Sequence, residues 1–144
     1  MTPLRTGLAI FCVFVTIWIT DFLTHGVLLA NDYGASLPLW RPSAEMMSYL
    51  PWMNLGQLIE AAAITLLYVR GFAQRRCLRE AVLFGLLMGL YGETITPIFY
   101  AVQPLPADLC VKWFVSGTVQ GVVVGLVLFA VCRLRAESAP APSP

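Results

Sequence analysis

Leu8-Ala-Ile-Phe-Cys-Val-Phe-Val-Thr-Ile-Trp-Ile19 carries no charge, and it runs straight into Thr20-Asp21-Phe22-Leu23-Thr24-His25. An apolar run of this length, extended from about Gly7 to Leu29, is long enough to cross the hydrocarbon of a bilayer, which needs about 17–25 residues. Two ionisable groups then sit inside the span. A charge at a helix centre in lipid costs roughly 2.5–3.5 kcal/mol on insertion scales, so such groups are paired or functional.

Three further segments read the same way: about Met53 to Val69, Leu78 to Val102 and Leu109 to Cys132. Over the whole chain 58% of residues are hydrophobic and 12% are charged, against about 25% charged in soluble domains. The predicted fold is therefore an all-α polytopic membrane four-helix bundle, one domain over residues 1–135. The Ala/Pro-rich stretch 136–144 has no apolar period and is expected to be disordered. Net charge is +1, which gives no reason to expect nucleic-acid binding. Cys12, Cys77, Cys110 and Cys132 form no CxxC pair, so neither a zinc site nor a disulfide framework is read from them.

Basic residues orient the bundle. Arg5, the Arg70–Arg79 loop, Arg133 and Arg135 hold seven of the nine Lys/Arg, and four spans put all seven on one side. The positive-inside rule places both termini in the cytoplasm and the chain in a bacterial inner membrane. Arg5 before an apolar run also resembles a signal peptide, but no small-x-small cleavage site follows; the first span is expected to be retained.

The outer loop, residues 31–51, contains Leu37-Pro-Leu-Trp-Arg-Pro42. Pro38 and Pro42 disfavour helix in the residues before them, and Ser43 to Leu50 is expected to form a short interfacial helix. Tyr33, Trp40, Arg41 and Glu45 are assigned to a lid over the outer end, with Arg41 pairing Glu45 or Asp32 or offering an anion contact. A plain connector anchored by its aromatics is the competing reading.

Depth brings the polar groups together. Counted from the outer ends, Asp21 lies roughly 12 Å deep, Glu60 roughly 10 Å and Glu93 roughly 13 Å, at 1.5 Å per residue. His25 shares the face of Asp21. Gln57 precedes Glu60, Tyr100 shares the face of Glu93, and Gln120 lies on a polar stripe of span four. Asp21, His25, Glu60 and Glu93 are thus predicted to converge in one outward-facing cavity for a small ligand or cation. One His and three carboxylates admit a divalent metal. A single His disfavours haem. The inner halves lack ionisable residues, so a proton path through the membrane is not supported. Two other functions stay open. The polar groups could be glue in an accessory subunit of a larger complex, or a buried acid and His25 could do acid–base chemistry on an apolar substrate.

Gly117-x-x-x-Gly121-x-x-x-Gly125 in span four and Gly85-x-x-x-Gly89 in span three are small-residue stripes that permit close helix approach. Spans three and four are predicted to pack through them, with homodimerisation through span four as the alternative.

Asp21-Phe-Leu-Thr-His-Gly26, Tyr33, Leu39-Trp-Arg-Pro42 with Glu45-Met46, and Lys112-Trp113-Phe114 resemble a pattern in small uncharacterised bacterial membrane proteins. The resemblance implies a four-helix inner-membrane protein and groups Asp21, His25, Tyr33, Trp40, Arg41 and Glu45 as one outer-face unit. It implies no activity.

Overall fold

The computed structural model describes residues 2–73 and 77–134. The 136–144 stretch, Arg75, Arg76 and Arg135 lie outside the described residues. In order, the chain forms α1 (Pro3–Asp21), a π-helical segment (Phe22–Leu28), α2 (Ala30–Ala35), a 3₁₀ turn (Leu37–Leu39), α3 (Ser43–Gly71), α4 (Leu78–Gly92), α5 (Ile95–Val102) and α6 (Ala107–Leu134). Four helices are long and apolar enough to cross a membrane: Pro3–Leu28, Ala44–Gly71, Leu78–Val102 and Ala107–Arg133. The expected all-α, four-span architecture is present. Large apolar side chains such as Phe11, Ile59, Leu67, Leu87 and Val119 are exposed along these helices, as lipid-facing residues must be.

The helices alternate in direction, so the bundle has two ends. One carries the 30–42 segment and is called the lid end; the other carries the Arg70–Arg79 connection and is called the basic end. The basic half is packed like a small core. Ala9, Val13 and Ile17 of α1 meet Ala61 and Tyr68 of α3, Ala81 and Phe84 of α4, and Val124 and Leu128 of α6. Phe84 meets Tyr68 edge-on at 5.2 Å and Phe72 at 4.9 Å, separations at which aromatic pairs attract beyond their area burial.

Glycine sets the distance between α4 and α6. A Cβ on Gly121 would lie 2.6 Å from the Gly89 Cα, and one on Gly85 would collide with the Gly121 carbonyl. The predicted packing of spans three and four through these stripes is therefore observed. Gly121 and Gly125 are spent on α4 within the chain, so the homodimer seam considered for span four is already covered.

Three features depart from the sequence reading. The first span is not α-helical throughout. After Asp21 it widens to π geometry, and the Leu29 N–H reaches back five residues to the Thr24 carbonyl at 2.9 Å. The third span is broken at Glu93–Thr94. Pro97 has no N–H to give the Glu93 carbonyl, and its ring crowds that carbonyl; the carbonyl accepts instead from the Thr96 N–H at 3.1 Å. Finally, Ser43 to Leu50 is not a separate short helix. It is continuous with the second span in one 29-residue helix, about 43 Å long at 1.5 Å per residue. Pro51 lies inside that helix without ending it, because a proline removes one backbone hydrogen bond and the apolar run continues beyond it. The short helix of this loop is Ala30–Ala35.

Candidate functional site at the lid end

Both departures from α geometry fall beside the polar residues. π segments are uncommon and are frequent at functional sites. Here the wider turn carries Thr24 and His25, with Asp21 at its entrance. The break in the third span places Glu93 at the end of α4 and re-aims α5. Between these two irregular segments, backed by α6, is a cavity of about 220 Å³. Asp21, His25, Glu93, Thr96, Trp113 and Gln120 are among the residues that line it, together with the apolar Ile95 and Phe99.

Asp21 is held from two helices. The Gln57 amide donates to one carboxylate oxygen at 2.7 Å and the Gln120 amide to the other at 2.6 Å. Gln120 also donates to the Thr20 hydroxyl at 2.7 Å, and Thr20 donates back to the Thr16 carbonyl at 2.8 Å. One carboxylate thus joins α1, α3 and α6. Glu93 accepts from the Thr96 hydroxyl at 2.6 Å. Its carboxyl occupies the space that a side chain at residue 117 would fill: a Cβ on Gly117 would overlap it. Gly117 therefore seats an acid, while Gly121 and Gly125 seat backbone.

The 30–42 segment is tied to the first span and to α6 by Tyr33. Its hydroxyl accepts from the Trp113 indole N–H at 2.8 Å and bonds His25 Nδ1. An indole N–H only donates and a hydroxyl has one proton, so donation to His25 would leave the imidazole proton on Nε2. Burial pushes the Tyr33 phenol up to about 12, with Asp32 and Asp21 adding to the rise and the Trp113 hydrogen bond opposing it. Trp40 packs edge-on to Tyr33 at 5.2 Å and to Trp113 at 5.9 Å. Its indole donates to the Ser36 hydroxyl at 2.9 Å. Lys112 of α6 bonds Asp32 of α2 and reaches Asp108 at 3.4 Å.

Of the four groups predicted to converge, Asp21, His25 and Glu93 share the cavity. Glu60 does not line it; it faces a separate crevice of about 40 Å³ between α3, α4 and α6, where Glu93 and Gln120 also appear. Gln120 lines the cavity as expected. Gln57 reaches it only through Asp21. Tyr100 is half exposed and does not line the cavity, because the break at Glu93–Thr94 rotates α5 away from the phase of α4. Tyr33 and Trp40 pack with each other and against Trp113, and neither lines the cavity. Arg41 pairs with neither acid considered for it: its guanidinium lies 4.1 Å above the Tyr49 ring, and Asp32 bonds Lys112 instead. Glu45 is exposed in the first turn of α3, away from the lining residues.

Among the described residues, no three His, Cys, Asp or Glu side chains are gathered as a metal-binding group. The metal set Asp21, His25, Glu60 and Glu93 is thus not assembled. Asp21 is occupied by two amides, His25 Nδ1 by Tyr33, and Glu60 stands in the other crevice. Residues that the sequence reading missed are Ile95 and Phe99, an i,i+4 pair on one face of α5, and Thr20, which receives Gln120. Comparison with family models, curated proteins and solved structures finds no match for this chain.

Proposed function

We propose that this chain is a multi-pass protein of the bacterial inner membrane whose lid-end cavity faces outward and binds a small ligand or cation. The supporting observation is the cavity of about 220 Å³ that Asp21, His25 and Glu93 share with Trp113. Two acids and an imidazole border this space, and the hydrogen bonds they make do not close it. Orientation rests on the basic loop. Cysteine labelling in intact cells should leave Cys77 protected and a cysteine placed at the exposed Leu37 reactive, and the opposite pattern would turn the cavity towards the cytoplasm.

The test of binding is native mass spectrometry of the full chain released from its own membrane. A small adduct present on the wild type, lost in Glu93→Gln and kept in Glu60→Gln, is the expected result. A second reading, accessory subunit of a larger complex, draws on the Asp21 carboxylate, whose two oxygens are both used in bonds between helices. Larger subunits that co-purify with no small adduct would favour it.

A further inference from the structure

The lining chemistry narrows the ligand class. Among the described residues that border the cavity, His25 is the only basic side chain, against the two carboxyl groups of Asp21 and Glu93. Lys112, one turn from the lining residue Ser116, is drawn off by Asp32 and Asp108 and supplies no counter-charge within. A carboxylate in a low-dielectric site is costly without a partner cation. Among the described residues, Glu93 accepts from the neutral Thr96 hydroxyl and has no cation paired with it.

A bare divalent ion is a poor match, since no metal-ligating group is gathered. The volume exceeds what one ion needs: at about 30 Å³ per water it equals roughly seven waters. It is smaller than the roughly 300–1,000 Å³ of sites for drug-sized molecules. The wall formed by Trp113, Phe99 and Ile95 is apolar and partly aromatic. Aromatic faces attract organic cations, and quaternary ammonium groups in particular. Acid, aromatic and aliphatic carbon around one cavity, and room for a few heavy atoms, together describe a receptor for a cation that carries carbon.

We propose that the cavity binds a small organic ammonium ion, with Glu93 as the anionic contact and Trp113 and Phe99 against its carbon atoms. This deepens, and rests on, the binding reading above. The ammonium can belong to a free amine or to the headgroup of an amine-bearing lipid.

The experiment uses the full chain in nanodiscs of phosphatidylglycerol, which has no ammonium group. Tetramethylammonium and ethylammonium chloride are titrated at constant ionic strength, with tert-butanol as the neutral probe and Mn²⁺ as the metal probe; binding is read by saturation-transfer NMR for the organic probes and by electron spin resonance for Mn²⁺. Saturable binding of an ammonium probe, absent for tert-butanol and weakened roughly tenfold or more in Glu93→Gln, is expected, as for loss of a charged hydrogen-bond partner. Asp21→Asn provides a second variant should Glu93→Gln fail to fold, and the wild-type titration stands without either. Saturable Mn²⁺ or tert-butanol binding with none by ammonium would overturn the ammonium assignment and leave the binding cavity in place. No saturable binding by any probe would overturn both. Where ammonium binds, repeating the titration with phosphatidylethanolamine in the disc separates the sources: competition identifies a lipid headgroup, and unchanged binding identifies a free amine.

Discussion

The two halves of this bundle use the same helices for opposite ends. Towards the basic end, α1, α3, α4 and α6 are regular, and glycine, alanine and a Tyr68–Phe84–Phe72 aromatic group fill the space between them. Towards the lid end, two of the four spans leave α geometry, and the volume that packing would have filled remains as a cavity. The difference lies in what occupies the helix interface. Apolar and small side chains can interdigitate to near-crystalline density. Carboxylates, amides and an imidazole must satisfy directional bonds first, and the bonds made here do not close the space.

That contrast can be broken most severely at the glycine seam. Gly121→Leu should cost several kcal/mol, at or above the usual overpacking range of about 1–3 kcal/mol, because even a Cβ there meets the Gly89 backbone. The same change at Gly7, which has nothing within 4 Å of its Cβ position, should be close to neutral. Thermal unfolding in detergent reads both. Equal midpoints for the two variants would mean that the basic half is not tightly packed.

A smaller loss is expected at the lid end. Asp21→Ala strips the acceptor from the Gln57 and Gln120 amides, and an unsatisfied buried donor costs about 1–3 kcal/mol. Asp21→Asn should recover part of that loss by leaving one acceptor oxygen. If alanine and asparagine unfold at the wild-type temperature, Asp21 does not join the three helices.

Tyr33→Phe comes next, at about 1–2 kcal/mol for the two hydrogen bonds it removes, to Trp113 and His25. Its readout is local: amide exchange should quicken over residues 30–39 and stay unchanged in α4 and α6. Uniform exchange rates would show that the lid and the bundle open as one unit.

The least effect is that of pH through Tyr33. Its phenol is raised from 10.0 to about 12, so the folded lid holds its proton more tightly than the unfolded chain does. This contribution is complete below about pH 10 and declines as pH rises to about 12. Tyrosinate absorbance titrations of the wild type and of Tyr33→Phe should differ by one late-titrating phenol, and lid exchange between pH 6 and 8 should not respond to this group.

The sequence revealed the spans because hydrocarbon thickness imposes a length and water-soluble surface is missing; nothing subtler is required. It revealed the glycine seam because four-residue spacing of small side chains has one principal use in a membrane helix. It revealed depth but not rotation. Asp21, Glu60 and Glu93 are close in estimated depth, yet Glu60 turns into a neighbouring crevice. Tyr100 was read in phase with Glu93, seven residues on, and the break that Pro97 causes destroys that phase. The signal for the break was therefore present in the proline. The π segment at Phe22–Leu28 contains no proline, and the bonds beside it, Tyr33 to His25 and Gln57 and Gln120 to Asp21 at its entrance, are not encoded in a local pattern.

The discontinuity at Glu93–Thr94 also separates the third span mechanically. α4 is keyed into α6 by backbone-to-backbone contact along its glycines. α5 is a short arm of eight residues, and Thr96 is its buried member. Ile95 and Phe99 border the cavity from that arm, away from the glycines of the seam. The wall of the cavity and the contact that keeps the protein folded are thus carried by different residues, and mutations that reshape the one need not be mutations that threaten the other.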